Sequence, residues 1–252
     1  MNDDVVQTAT GTYKLNAKPQ GAVPEDIGQP RHVYILSGGI AAGKTTIVRR
    51  LVTDFHFVTG SPADILKERA AQVLAEELGE PEAAESMFHE MLEQSTKAEY
   101  RDFLVAFGEF ISNRDQYHWG TQAAEVAAQR YENVAKAGVP SGIVFDSIRR
   151  PAEILAVKQR WPNACHVHLS VERERQMDYL TRIIGSTEEK AIATLENASE
   201  HWLDDMDGTD YDAQYVIDAN GGDEATWLQF MAIVVLGMSP GEKEVAEAIL
   251  DG

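Results

Sequence analysis

Gly38-Gly39-Ile40-Ala41-Ala42-Gly43-Lys44-Thr45 is the stretch on which the reading of this chain turns. It satisfies the pattern G-x-x-x-x-G-K-[ST], and its surroundings are those the pattern requires. Before it stands His32-Val33-Tyr34-Ile35-Leu36, a short β-branched and aromatic run that reads as a buried strand. After it, residues 45–54 read as a helix. Small residues let such a loop curl so that successive backbone N–H groups point inward as an anion nest. The helix N-terminus adds positive potential. The candidate phosphate cradle is Gly39, Ala41, Ala42, Gly43, Lys44, Thr45 and Thr46. Lys44 would supply a full charge to the β and γ phosphates, the Thr45 hydroxyl would ligate Mg²⁺, and Thr46 would lie near the α phosphate. A plain glycine turn joining strand to helix would not need the lysine and threonine at these offsets. ATP and Mg²⁺ are the expected ligands.

Four further strand candidates follow: His56–Thr59, Gly142–Phe145, His166–Leu169 and Gln214–Ile217. Helical patterns lie between them at about 62–78, 82–112 with a break, 118–137, 151–160, 172–184, 188–204 and 223–236. Strands alternating with helices imply a parallel sheet covered on both faces, a three-layer α/β/α fold. Residues 1–30 carry Pro19, Pro24, Pro30, Gly11, Gly21 and Gly28 with little periodicity, and read as a tail. The core is expected over 31–236. Residues 237–252 form an extension, with an amphipathic helix at 240–251.

The 252 residues carry 22 Lys+Arg against 41 Asp+Glu, so the formal charge is 22 − 41 = −19. That disfavours coating of an extended nucleic-acid backbone, which proteins achieve with positive charge. It suits a small anion held in a local basic cleft. No apolar run approaches the about 18 residues a membrane helix needs. The N-terminus, Met-Asn-Asp-Asp, lacks a basic start followed by an apolar stretch, and the single cysteine, Cys165, excludes an internal disulfide framework. A cytoplasmic location is expected.

Ile143-Val144-Phe145 runs into Asp146 at the carboxyl end of a buried strand, the edge where ligands lie in open parallel sheets. Asp146 is therefore a candidate to hold Mg²⁺ or to orient the acceptor. The alternative is that Asp146 or Ser147 caps the helix starting near Pro151. Guanine-binding Asn-Lys-x-Asp and a following Asp-x-x-Gly are both missing, which argues against a GTPase.

Three segments, Ser37–Thr46, Phe145-Asp-Ser-Ile-Arg-Arg-Pro-Ala-Glu153 and Ala213-Gln-Tyr-Val-Ile-Asp-Ala-Asn-Gly221, resemble the P-loop nucleoside monophosphate kinase superfamily over about residues 31–236. Phe57–Lys67 and Tyr100–Arg114, followed by Trp119, resemble the acceptor segments of bacteriophage deoxynucleoside monophosphate kinases. Dephospho-CoA kinases share the Ser-Gly-Gly-Ile start, but their acceptor-side segments have no clear match here. The resemblance implies a P-loop NTPase fold with helical acceptor-binding and lid regions, the acceptor helices at about 60–138 and the lid at about 172–204. It places Arg101 and Arg114, on one expected helix, at the acceptor phosphate, and Arg175 and Arg182 in a lid closing over ATP.

Phosphoryl transfer needs two anions aligned and their charge neutralised, a task suited to planar guanidinium groups. Arg149 and Arg150 follow Asp146 directly, and Arg175 and Arg182, seven apart, share a helix face. Each alone also reads as a solvated surface charge. The expected roles are Lys44, Asp146, Arg150, Arg175 and Arg182 at the transferring group, and Asp64, Lys67, Arg101, Arg114, Trp119 and Arg149 at the acceptor. Thr45 and Asp146 are the expected metal holders. Asp64 and Lys67 read equally as helix surface, and Trp119 as core rather than a stacking platform. His166 and His168 share a strand face without a third ligand and read as structural; Cys165 reads as a small buried residue. The expected activity is transfer of the γ-phosphate of MgATP to a (deoxy)nucleoside monophosphate, a small-molecule partner. A hydroxyl of a modified base in DNA, dephospho-CoA, and a regulatory ATPase acting on water are the alternatives. No membrane partner is expected, and a homodimer is left open.

Overall fold

The computed structural model describes residues 5–8, 11–14, 29–93, 97–137, 141–196 and 213–235. Within the segment read as a tail, β1 (Val5–Thr8) pairs antiparallel with β2 (Gly11–Lys14). The core begins at β3 (His32–Gly38) and continues through the glycine loop into α1 (Lys44–Phe55). Then follow β4 (Val58–Gly60), α2 (Pro62–Glu77), α3 (Ala84–Leu92), α4 (Lys97–Ser112) and α5 (His118–Ala137). Next come β5 (Gly142–Phe145), α6 (Pro151–Arg160), β6 (Cys165–Ser170) and α7 (Arg173–Asp178), which runs into a π-helical turn at Tyr179–Ile183. α8 (Glu188–Leu195), β7 (Tyr215–Asp218) and α9 (Asp223–Phe230) complete the core. The C-terminal parts of the helices expected at 188–204 and 223–236, and the whole of 240–251, lie outside the described residues.

The sheet is parallel in the order β4-β5-β3-β6-β7, which puts the glycine-loop strand at its centre. Alternation along each strand sends side chains to two separate cores. From β3 and β5, Val33, Ile35, Ile143 and Phe145 meet α5 and α6 through Ala124, Ala127, Ile154 and Val157. On the other face Tyr34, Leu36 and Val144 meet α1 and α9 through Ile47, Leu51, Trp227 and Phe230. A strand buried on both faces needs an unbroken apolar run, and Val33-Tyr34-Ile35-Leu36 supplies it. The three-layer α/β/α fold expected from the sequence is the fold observed.

Two smaller cores stand outside the layers. One joins α2, α3 and α4 through Ala70, Ala71, Met91 and Leu104. The other joins the turn after α7 to α8 through Leu180, Ala191 and Leu195, with Ile40 of the glycine loop packed against it. They occupy the stretches expected from the sequence to bind the acceptor and to form a lid, and are labelled acceptor-side and lid-side accordingly. Among the described residues no helix is long and apolar enough to cross a membrane.

Candidate active site

The glycine loop leaves β3 through Gly38, whose φ of 129° and tight fit both demand glycine. A Cβ there would lie 2.3 Å from the Leu169 carbonyl oxygen on the neighbouring strand. Ala41 and Gly43 take left-handed conformations, φ 64° and 79°, and Gly43 opens directly into α1. The loop therefore has the curl that turns backbone N–H groups inward. The Lys44 ammonium donates across it to the Gly38 carbonyl and, at 2.7 Å, to the Gly39 carbonyl. Ala42 is buried beneath the loop, and Thr45 is exposed at its mouth. Thr46 is placed differently from expectation. Its hydroxyl donates to Asp223 Oδ2 at 2.6 Å, so it ties α1 to the start of α9 rather than standing free beside a phosphate.

From this loop a single cleft of 1760 Å³ extends between the two helical regions. Pockets for one small ligand are about 300–1,000 Å³, so the space accommodates two. Ala41 through Thr46 line one end, and Leu66, Lys67, Arg101 and Trp119 the acceptor side. Arg149 and Arg150 border the sheet edge, and Arg175 and Arg182 stand on the lid side. The structure brings all but four of the residues expected at the site to this lining; Gly39, Asp64, Asp146 and Arg114 are not on it. Gly39 belongs to the loop itself, with the amide of Gln176 so close that a Cβ would meet it at 2.2 Å.

Asp146 sits just behind the lining, at the end of β5. Its Oδ1 is shielded from solvent and has no hydrogen-bond partner among the described residues. Burial, and then the nearby Asp64 carboxylate, push its pKa up to about 6, while Ser61, Lys44 and Lys67 pull the other way. The capping alternative is overturned. The first turn of α6 is capped by Glu153, whose Oε2 accepts from the Arg149 and Arg150 N–H groups at 2.8 and 3.1 Å. Glu153 is itself buried, which raises its pKa against those two bonds. Ser147, next to Asp146, is held at φ 56°, a strained geometry for a serine.

Asp64 and Lys67 share a 3.0 Å ion pair on the first turns of α2. Ser61 caps that helix, accepting from the Asp64 N–H at 3.3 Å, with Pro62 in the first helical position. Arg101 faces the cleft from α4 and is exposed. Arg114 is a correction. α4 ends at Ser112, and Arg114 lies in the turn beyond, its guanidinium 4.3 Å from the Phe110 ring centroid. Thirteen residues at roughly 100° each would in any case put it far from Arg101's face. Trp119 is 3% exposed, donates from Nε1 to the Gly108 carbonyl at 3.3 Å, and packs on Phe107. It is core that forms a cleft wall, not a free stacking ring.

On the lid side, Arg175 donates to the Asn220 carbonyl, and Arg182 pairs with Asp178 at 2.7 Å in an exposed setting. An exposed pair of this kind contributes about 0–1 kcal/mol, so Arg182 is released cheaply. His166 and His168 both bond the buried Ser37 hydroxyl, at 2.7 and 2.9 Å, under the loop, which agrees with their structural reading. Burial raises the Cys165 thiol to about 11. Asn220, Asp223, Glu153 and Gln176 were missed from sequence; each acts through tertiary packing that no local pattern signals.

No protein-family model and no curated protein sequence matches the chain. Solved structures with a similar trace include a Thermus thermophilus protein at 17% identity, with 84% of this chain on 100% of that one and a TM-score of 0.49. They also include shikimate kinase from Acinetobacter baumannii in complex with shikimate (16% identity, 82% and 94%, TM-score 0.40). Dephospho-CoA kinase from Campylobacter jejuni is similar at 13% identity, 82% and 97%, with a TM-score of 0.41. Likeness at this level fixes neither activity nor substrate.

Proposed function

We propose that the protein is an ATP-dependent phosphotransferase whose acceptor is a (deoxy)nucleoside monophosphate. The observation that carries this is the one continuous cleft. It joins a curled glycine loop with its lysine to a separate arm long enough for a second ligand, and arginines from four segments border it. The loop N–H groups and Lys44 would take the triphosphate. Arg101, Arg149 and Lys67 would take the acceptor phosphate, and Arg150, Arg175 and Arg182 would neutralise charge spreading over the transferring group. Residues fitted to Mg²⁺ are present: the exposed Thr45 hydroxyl and the orphaned Asp146 oxygen. When bound there, the ion would offset charge on the phosphate oxygens. Movement of the α7–α8 region over the cleft would exclude water and so suppress hydrolysis.

One observation favours a second reading. Asp64 stands close enough to Asp146 to raise its pKa, which puts two carboxylates at the sheet edge. A monophosphate acceptor is already ionised and needs no base, whereas a hydroxyl acceptor does. A hydroxyl on a modified base in DNA, or on a small molecule such as dephospho-CoA, is thus the alternative acceptor. The deciding experiment offers γ-labelled ATP together with free nucleoside monophosphates, hydroxymethylated DNA or dephospho-CoA. Label in a nucleoside diphosphate supports the first reading. Label confined to DNA or to coenzyme A refutes it, and acceptor-independent release of phosphate points to a regulatory ATPase.

A further inference from the structure

α4 carries a glycine in its interior. Gly108 precedes the end of the helix at Ser112 and takes no positive φ. A glycine there is destabilising relative to alanine, and no left-handed turn requires one. The reason for it lies on the neighbouring helix. A Cβ built on Gly108 would lie 2.6 Å from Leu66 Cδ1, and outside its own helix Leu66 alone among the described residues comes within 4 Å of it. One methyl of Leu66 therefore fills the notch that the missing side chain leaves. The Gly108 carbonyl is also engaged, accepting from the Trp119 indole N–H at 3.3 Å. Leu66, Gly108 and Trp119 all line the cleft, so together they form a floor to its acceptor arm. Gly108 follows Arg101 by seven residues, two helical turns, and so shares its face. At 1.5 Å per residue the floor begins about 10 Å from the arginine proposed for the acceptor phosphate, roughly the distance from a nucleotide's phosphate to its base.

Resting on the nucleotide-acceptor reading above, we infer that Gly108 and Leu66 form a size filter that sets how bulky an acceptor the cleft admits. The filter works by displacement. A methyl on Gly108 cannot share the notch with Leu66 Cδ1, so Leu66 must swing away. Its other packing partners are Ala70, Ala71, Met91 and Leu104, of which the first three are fully buried. A close-packed core of this kind resists added volume, whereas the cleft is open. Leu66 therefore moves into the acceptor arm and makes it shallower. Trimming Leu66 to alanine does the opposite, leaving the notch empty and the arm deeper. The pair selects by shape alone, with no hydrogen bond to any base, so its effect scales with the bulk of the acceptor. One methylene in an apolar pocket changes discrimination by about 10- to 200-fold.

The experiment measures kcat/KM for dAMP, dGMP, dCMP and dTMP with the wild-type protein, Gly108→Ala, Leu66→Ala and the double variant, and ATP affinity by calorimetry. Gly108→Ala should lower the purine-to-pyrimidine ratio of kcat/KM by about 10-fold, through KM, and leave ATP affinity unchanged. Leu66→Ala should raise that ratio. Adding Leu66→Ala to Gly108→Ala should return it to within about 3-fold of the wild-type value. Leu66→Ala by itself removes core packing and lowers Tm, so recovery on adding it cannot be recovery of stability. A ratio unmoved by either single variant, a loss shared with ATP binding, or a loss that Leu66→Ala does not relieve overturns this inference and leaves the nucleotide-acceptor reading standing. Label confined to DNA or coenzyme A overturns that reading instead. The filter then stands if Gly108→Ala raises the KM of the labelled acceptor and Leu66→Ala relieves it, and falls otherwise. Label in no acceptor overturns both.

Discussion

Asp146→Asn should stabilise the protein above pH 6 while disabling it. The carboxyl moves from an ordinary value of 3.8 to about 6 on folding, because burial and Asp64 disfavour its charged form. A rise of that size corresponds to about 3 kcal/mol. The sign follows from proton binding. Between pH 3.8 and 6 the folded state holds the proton more tightly than the unfolded chain, so stability falls as pH rises. Below that window the penalty vanishes, and above it the penalty is complete. Because one oxygen is shielded while the residue as a whole is only half-buried, 3 kcal/mol is a ceiling. For a domain of this size, each kcal/mol moves Tm by about 2–4 °C. Asp146→Asn should therefore raise Tm by up to about 10 °C at pH 8 and by almost nothing at pH 3.5, measured as variant minus wild type at each pH so that other groups cancel. Phosphotransfer at pH 8 should fall by at least about 100-fold if the carboxylate acts at the reacting groups. A variant that is destabilised at pH 8, or gains equally at both pH values, would refute the reasoning about burial. Full activity in the variant would refute the role.

Arg101→Ala should raise acceptor KM by about 10- to 100-fold and leave ATP binding, read by titration calorimetry, nearly intact. Equal loss of both would show that Arg101 does not hold the acceptor. Arg114→Ala should leave acceptor KM unchanged and cost about 0.5–1 kcal/mol in denaturant unfolding, the worth of an exposed cation–π contact; a large KM effect would restore it to the site. Gly38→Ala should cost several kcal/mol, because its Cβ meets the Leu169 backbone, whereas Gly43→Ala, whose nearest neighbour would be 3.6 Å away, should cost only about 1–2 kcal/mol of left-handed strain. Thermal melts that ranked the two the other way would contradict the packing described.

The fold was legible because the deciding signals are local. Val33-Tyr34-Ile35-Leu36 fills two faces by strict alternation, and Gly38 and Gly43 beyond it sit where φ turns positive. Placement at or just behind the cleft was legible where residues follow a strand end or a glycine turn, as Asp146, Lys44 and Arg150 do. It was misread where position depends on helix phase and length. Arg101 and Arg114 look like a pair in sequence, yet α4 stops at Ser112 and the second arginine stacks on Phe110. Thr46 carries the right residue type, but its hydroxyl is taken by Asp223, 177 positions later.

Under the proposed function, a chain of charge −19 would have to hold two anions side by side. Its long-range field repels them, so attraction must come from cations at close range. Several of the cleft's cations bond neutral or solvent-screened groups: Lys44 the loop carbonyls, Arg175 a carbonyl, Arg182 an exposed aspartate. A phosphate offers each a charged, multidentate partner in place of a neutral or solvent-screened one, so the exchange is favourable without unfolding anything. Asp146 stands at the opposite extreme, half-buried with one shielded oxygen that no described residue satisfies. The cleft thus combines several positive groups held by neutral or solvent-screened partners with a shielded Asp146 oxygen that lacks a partner among the described residues. Under the proposed function, both would be satisfied together when MgATP and the acceptor enter as a set, the anions meeting the cations and the metal the Asp146 oxygen.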